Sequence, residues 1–158
     1  MQQLNLLSYN IQSGIYTRQY SEYVTSSWKH LLPHRERLYN LNRIALMLRA
    51  FDVVGLQEVD AGSLRSGFID QTEYLAFQAH FPHWYKQINR NLGKIAQHSN
   101  GVLSRLRPAR ITDYKLPGLP GRGAVIVEFD TSDAELLAIC ILHLALGWRA
   151  RRRQLGYI

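Results

Sequence analysis

The chain is poor in the features that would assign it quickly. It has one cysteine in 158 residues, Cys140, so no disulfide framework can hold it. No apolar stretch approaches the roughly 20 residues needed to span a bilayer. The N-terminus has no basic segment leading into an apolar one, which argues against a secretory signal. These absences predict a cytoplasmic protein. Acidic residues are scarce beside basic ones, 12 against 19, for a formal charge of +7. Such a surplus suits a polyanionic partner such as nucleic acid or a phosphorylated small molecule, although a basic surface can equally be inert.

Other absences remove whole classes of chemistry. There is no Walker A sequence, no dinucleotide-binding glycine fingerprint and no nucleophile elbow. Gly118, Gly121 and Gly123 sit among prolines and an arginine, unlike a phosphate-cradling loop that opens a helix. His30, His34, His80, His83 and His98 show no zinc-ligand spacing. Internal repeats and low-complexity stretches are also missing.

What remains is an ordinary globular sequence, 46% hydrophobic, with a length that fits one domain and a sizeable core. Residues 4–11 read as a strand buried on both faces. Residues 12–37 have no clean period and read as a long loop with a short helix near Tyr20–His30; loops this long are often functional. From Leu38 the spacing Leu38, Leu41, Ile44, Ala45, Leu48 is that of a helix with one buried stripe. Residues 53–58 return to strand, so the order predicts a parallel βαβ unit. A further helix is expected over Gln71–Phe81, closed by Pro82. Short strands follow at 83–89, 98–104, 109–116, 122–130 and 135–144, the last two joined as a hairpin through Asp130-Thr131-Ser132-Asp133. Cys140 falls in the apolar run 136–142 and reads as buried. Trp148–Ile158 reads as a basic helix start carrying Arg149, Arg151, Arg152 and Arg153.

The candidate site follows from that order. A parallel unit delivers the C-terminal ends of both strands to one rim, where open α/β sheets place their ligands. Asn10 and Glu58 would lie there. A carboxylate ending a buried strand is costly unless paired or bound to a cation, and a lone oxygen ligand of this kind suits Mg²⁺ or Mn²⁺. Asn10 could orient that carboxylate or act as a structural cap. His143, after the strand 135–142, could donate a proton or a hydrogen bond to a phosphate oxygen, or be a satisfied core histidine. Asn100-Gly101 and Arg122-Gly123 place polar groups beside glycine, which lets backbone approach a ligand. Arg122 could clamp a phosphate, whereas Asn100-Gly101 is equally a turn signal.

Taken in order, Ser8-Tyr9-Asn10-Ile11, Leu56-Gln57-Glu58-Val59-Asp60, Ser99-Asn100-Gly101-Val102-Leu103-Ser104-Arg105, Gly121-Arg122-Gly123-Ala124 and Leu142-His143-Leu144 resemble the endonuclease/exonuclease/phosphatase superfamily. The resemblance implies a four-layer α/β sandwich of two mixed sheets with helices outside. It implies divalent-metal-dependent phosphodiester or phosphomonoester hydrolysis by an activated water. Carried over by position, it implies that Glu58 binds Mg²⁺ (or Mn²⁺) with Asn10 helping to hold the site. It further implies that His143 contacts the scissile phosphate, as a general acid in some members, and that Asn100 and Arg122 lie near the cleft.

The chain departs from the family pattern in two places. A Gly-Asp-x-Asn motif is expected after the His-Leu strand and a Ser-Asp-His motif near the family's C-terminus, and neither occurs. Residues 1–158 are therefore expected to be a single, incomplete domain, truncated before the C-terminal strands and weak or inactive alone. The alternative is a non-catalytic module that uses the same fold to hold a polyanion or a protein partner.

Overall fold

The computed structural model describes residues 3–11, 34–91, 97–118, 120–130 and 136–158. The expected helix near Tyr20–His30 lies outside them, as does the hairpin turn at 131–133. The elements in order are β1 (Leu6–Asn10), α1 (His34–Leu48), β2 (Val53–Asp60), a 3₁₀ turn (Leu64–Ser66), α2 (Gln71–Ala79), β3 (His83–Asn91), β4 (Gln97–Ser104), β5 (Arg110–Lys115), β6 (Gly123–Asp130), β7 (Leu136–His143) and α3 (Trp148–Leu155). The first sheet has the order β1-β2-β4-β3 and is mixed; the second, β5-β6-β7, is antiparallel. β1 and β2 run parallel across α1, as the apolar periodicity predicts.

Two apolar layers hold these parts. Leu41, Ala45 and Leu48 of α1 and Leu75, Ala76 and Ala79 of α2 bury against Val54, Leu56, Val59 and Leu103 on the outer face of the first sheet. Val53 and Val102 on its inner face meet Val125, Val127, Phe129 and Ile141 of the second sheet. The sheets come close at Gly55, where an added Cβ would stand 2.6 Å from Ile141 Cγ1. α2 is fixed where the first strands end: the Asp70 side chain accepts from Thr72 N at 3.1 Å and from Glu73 N at 3.3 Å, and pairs with Lys86 of β3.

Two expectations of burial fail. β1 is not buried on both faces. It pairs on one side only, with β2, and Leu6 is 51% exposed. Cys140 is exposed as well. In β7 alternate side chains face the first sheet, and Leu136, Ala138 and Cys140 take the opposite, outward face. A continuous apolar run predicts burial on two faces, but both of these runs belong to strands at a sheet edge.

Candidate active site at the polar rim between the sheets

The space between the sheets changes character along its length. At one end it is hydrocarbon. Toward the C-terminal ends of β2, β3 and β7 it turns polar, with Gln87, Asn100, Arg122 and His143 at the rim.

Glu58 reaches this rim through an irregularity that strict alternation would not place. Leu56 pairs with Gly101 and Val59 with Ser99, so Gln57 and Glu58 together oppose Asn100. This is a β-bulge, and Glu58 holds it with φ 55, left-handed for a residue with a Cβ. The bulge returns Val59 to the helix-facing core beside Val54 and Leu56 and turns Glu58 toward the second sheet. Its surroundings fix the strained position. Ser99 Oγ donates to Val59 O at 3.0 Å, and Asp60 N donates to the buried Gln71 Oε1 at 2.8 Å. The wholly buried Asp60 carboxylate accepts from Gly62 N, Ser63 N and Ser63 Oγ at 3.0, 2.7 and 2.7 Å. Strain of this kind persists only where neighbouring contacts over-determine it, and it concentrates at functional sites.

Opposite Glu58 stands His143, whose Nε2 lies 4.0 Å from Glu58 Oε1 and 3.3 Å from Arg122 Nη1. A guanidinium only donates, so Nε2 must accept and the ring's hydrogen sits on Nδ1. Nδ1 is buried without a partner among the described residues, as is Arg122 Nε. Burial holds the His143 pKa below its ordinary 6.5; Arg122 and His98 push the same way, and Glu58 opposes them. His143 is therefore neutral at neutral pH. Asn10 closes β1 directly beside Gln57, and Ile11 N donates to Gln57 O at 3.1 Å, which sets Asn10 on the same rim.

The structure thus brings Glu58, His143 and Arg122 together and sets Asn10 and Asn100 on the flanking strands. Asn100-Gly101 is not a turn. It lies inside β4, with Asn100 wholly buried and paired across to Gln87. Strand pairing on both sides overrides the local turn preference.

Sequence reasoning missed Gln87 and Asn89. Both lie on β3 and face the second sheet at Gly123, where even a methyl group would overlap both side-chain oxygens. Asn89 is the extra residue of a second bulge, between the pairs Ile88–Ser99 and Arg90–His98, and neither end of its amide has a partner among the described residues. The signal was there to read: in 83–91 the polar Gln87 and Asn89 continue the same face as Tyr85, which packs on the inter-sheet core.

The profile of the Endonuclease/Exonuclease/phosphatase family matches residues 7–157. The chain belongs to that family. Among solved structures it is similar to an endonuclease/exonuclease/phosphatase from Beutenbergia cavernae, with TM-score 0.69 and 20% identity, covering 98% of this chain and 42% of that one. It is similar to the mannosyl-6-phosphatase of Bacteroides thetaiotaomicron, with TM-score 0.60 and 17% identity, covering 98% and 57%. It is also similar to TDP2 from C. elegans, with TM-score 0.58 and 14% identity, covering 98% and 40%. No curated protein matches the chain. At these identities the structural likeness establishes the two-sheet α/β sandwich with outer helices. The chain spans about half the length of these relatives. No helix among the described residues is long and apolar enough to cross a membrane.

The donor set bears on whether a metal fits. Among the described residues no three His, Cys, Asp or Glu side chains gather as a protein-only cage. One carboxylate at a polar rim fits a cation that keeps most of its water, which is how Mg²⁺ commonly binds. Glu58 would be that carboxylate, and Asn10, at the end of the adjoining strand, could add a neutral oxygen.

Proposed function

We propose that residues 1–158 carry the metal- and phosphate-facing part of a divalent-metal-dependent phosphoester hydrolase, as one incomplete domain. The observation that carries this reading is the left-handed Glu58, 4.0 Å from a neutral His143 that is itself 3.3 Å from Arg122. The arrangement sets an anionic oxygen ligand beside a cationic donor with a proton-exchanging ring between them. Glu58, with Asn10 on the next strand, would hold Mg²⁺ or Mn²⁺. When bound, such an ion stabilises charge on phosphoryl oxygens and lowers the pKa of water.

The chain's own residues supply the rest. Arg122 pairs with the phosphate, its unpartnered Nε offering a donor beyond those of its terminal nitrogens. Arg122 contributes charge, and the neutral His143 contributes a hydrogen bond from Nδ1. If phosphate draws Arg122 away, Nε2 is released as a proton acceptor. Because burial and Arg122 both disfavour the imidazolium, His143 serves better in this state as a hydrogen-bond donor or base than as an acid. Asn100, wholly buried between the two bulged strands, completes the wall of the site.

The substrate class is a phosphorylated molecule, and the +7 charge favours a polyanion such as nucleic acid. The relatives include a mannosyl-6-phosphatase, so a monoester is an equal candidate. The second reading, a non-catalytic polyanion-binding module, is favoured by the exposed arginines of α3. Mg²⁺-dependent hydrolysis of a phosphodiester and a phosphomonoester separates the two. The enzyme reading expects weak turnover at most from the 158-residue chain, with any that is detected abolished in Glu58→Gln. Turnover that Glu58→Gln leaves unchanged removes Glu58 from the role, and tight polyanion binding that neither Mg²⁺ nor Glu58→Gln alters supports the binding module.

A further inference from the structure

We infer that Gln87 is a positioning residue that locks the Asn100 side chain with its carbonyl oxygen, not its NH₂, turned toward the Glu58 bulge. Asn100 would then accept a hydrogen bond from bound water rather than donate one to phosphate. The role rests on the functional reading above, whereas the orientation does not.

Each orientation is forced by the one before it. Gln87 is buried, and one end of its amide lies 3.1 Å from Tyr114 O and 3.1 Å from Ala124 O. Both neighbours are backbone carbonyls, which only accept. The Gln87 atom facing them must be the NH₂, because a side-chain oxygen there would meet two carbonyl oxygens. The opposite end, Oε1, is then fixed toward β4. Asn100 approaches it at 3.2 Å and must bring its own NH₂. That uses the Asn100 donor group on the β3 side. Its Oδ1, on the same trigonal carbon, is then not the atom that meets Gln87. It is buried and has no partner among the described residues.

β4 lies between β3 and β2, and the residues opposite Asn100 on β2 are the bulged Gln57 and Glu58. The orphaned acceptor therefore belongs to the side of the candidate cation carboxylate. An acceptor beside a phosphate oxygen is repulsive. Beside water held near Glu58 it completes a hydrogen bond that the protein otherwise leaves unmade. Two backbone carbonyls in the second sheet thus decide which atom a residue of the first sheet offers the site. Gly123 makes this possible, since any side chain there would displace Gln87.

The test uses the isotopically labelled 158-residue chain and needs no turnover. Side-chain amide NMR should show the Asn100 NH₂ protons close to Gln87 and remote from Glu58 and His143. Inorganic phosphate at millimolar concentration should move the Arg122 Nε–H signal and leave the Asn100 NH₂ signals in place. Asn100 NH₂ contacts to Glu58 or His143, or a phosphate response equal to that of Arg122, would overturn the inference. If phosphate moves neither Arg122 nor His143, the phosphate-site reading fails, while the Asn100 contacts still decide the orientation. In Gln87→Met the Asn100 NH₂ signals should shift and show two orientations. In Gln87→Glu, which keeps an acceptor toward Asn100, they should stay near wild type at low pH, where the protonated acid can also donate to a carbonyl. Unaltered Asn100 signals in Gln87→Met would exclude positioning by Gln87. Should that variant not fold, the wild-type contacts and the Gln87→Glu spectrum decide between the two orientations.

Discussion

Glycine at position 58 should make this protein more stable than alanine, the reverse of the usual order in a strand. Glu58 holds φ 55 at the β2 bulge. An L-residue in the left-handed region costs roughly 1–2 kcal/mol. Glycine escapes that cost but loses more backbone entropy on folding, about 0.5–1 kcal/mol relative to alanine. The difference favours Glu58→Gly over Glu58→Ala by about 0.7 kcal/mol. Both variants lack the carboxylate, so whatever Glu58 contributes through its side chain cancels between them. Urea unfolding with a slope near 2 kcal/mol/M should place the glycine midpoint about 0.4 M above the alanine midpoint. An alanine midpoint equal to or above the glycine one would refute the left-handed bulge. Glu58 would then carry no backbone strain for the surrounding contacts to hold. Neither variant should bind a divalent cation as the wild type does, since strain kept at a site is retained for the group it presents.

Gly55→Val should lower stability by about 1–3 kcal/mol in urea unfolding, because the new side chain enters the 2.6 Å approach to Ile141. Adding Ile141→Ala should recover part of that loss, a non-additivity expected only of residues in contact. His143 has a folded pKa held below 6.5, chiefly by burial, so the unfolded chain binds more protons as pH falls through that value. The stability from neutral His143 should thus be complete above about pH 7 and decline below about 6.5, and His143→Asn should flatten that part of the urea stability profile. An unchanged profile would contradict the buried, neutral ring. Mg²⁺-dependent turnover by the wild-type chain, if detected, should vanish in Glu58→Gln.

Much of this architecture could be read from the residues, and the reasons for the exceptions are local. The 3.6-residue spacing of Leu41, Ala45 and Leu48 between two apolar runs gave the parallel unit, because only one helix face could be buried. That unit put Asn10 and Glu58 on a common rim. The manner of Glu58's arrival was not legible. Strict alternation puts Val54, Leu56 and residue 58 on the helix face, and only the bulge exchanges Glu58 for Val59. Bulges depend on the partner strand, so no single run of sequence announces them. Asn89 was missed for the same reason. Asn100-Gly101 carries a strong local turn signal that pairing with β2 and β3 overrides. The edge positions of β1 and β7 were hidden because an apolar run is the same whether it has one neighbouring strand or two.

The central claim is that the rim around Glu58 is a divalent-cation site, and calorimetric titration of Mn²⁺ into the 158-residue chain tests it most directly. One saturable site is expected in the wild type, weakened at least about tenfold in Glu58→Gln, a loss of about 1.4 kcal/mol. Equal binding by the two proteins, or no binding by the wild type, would contradict it.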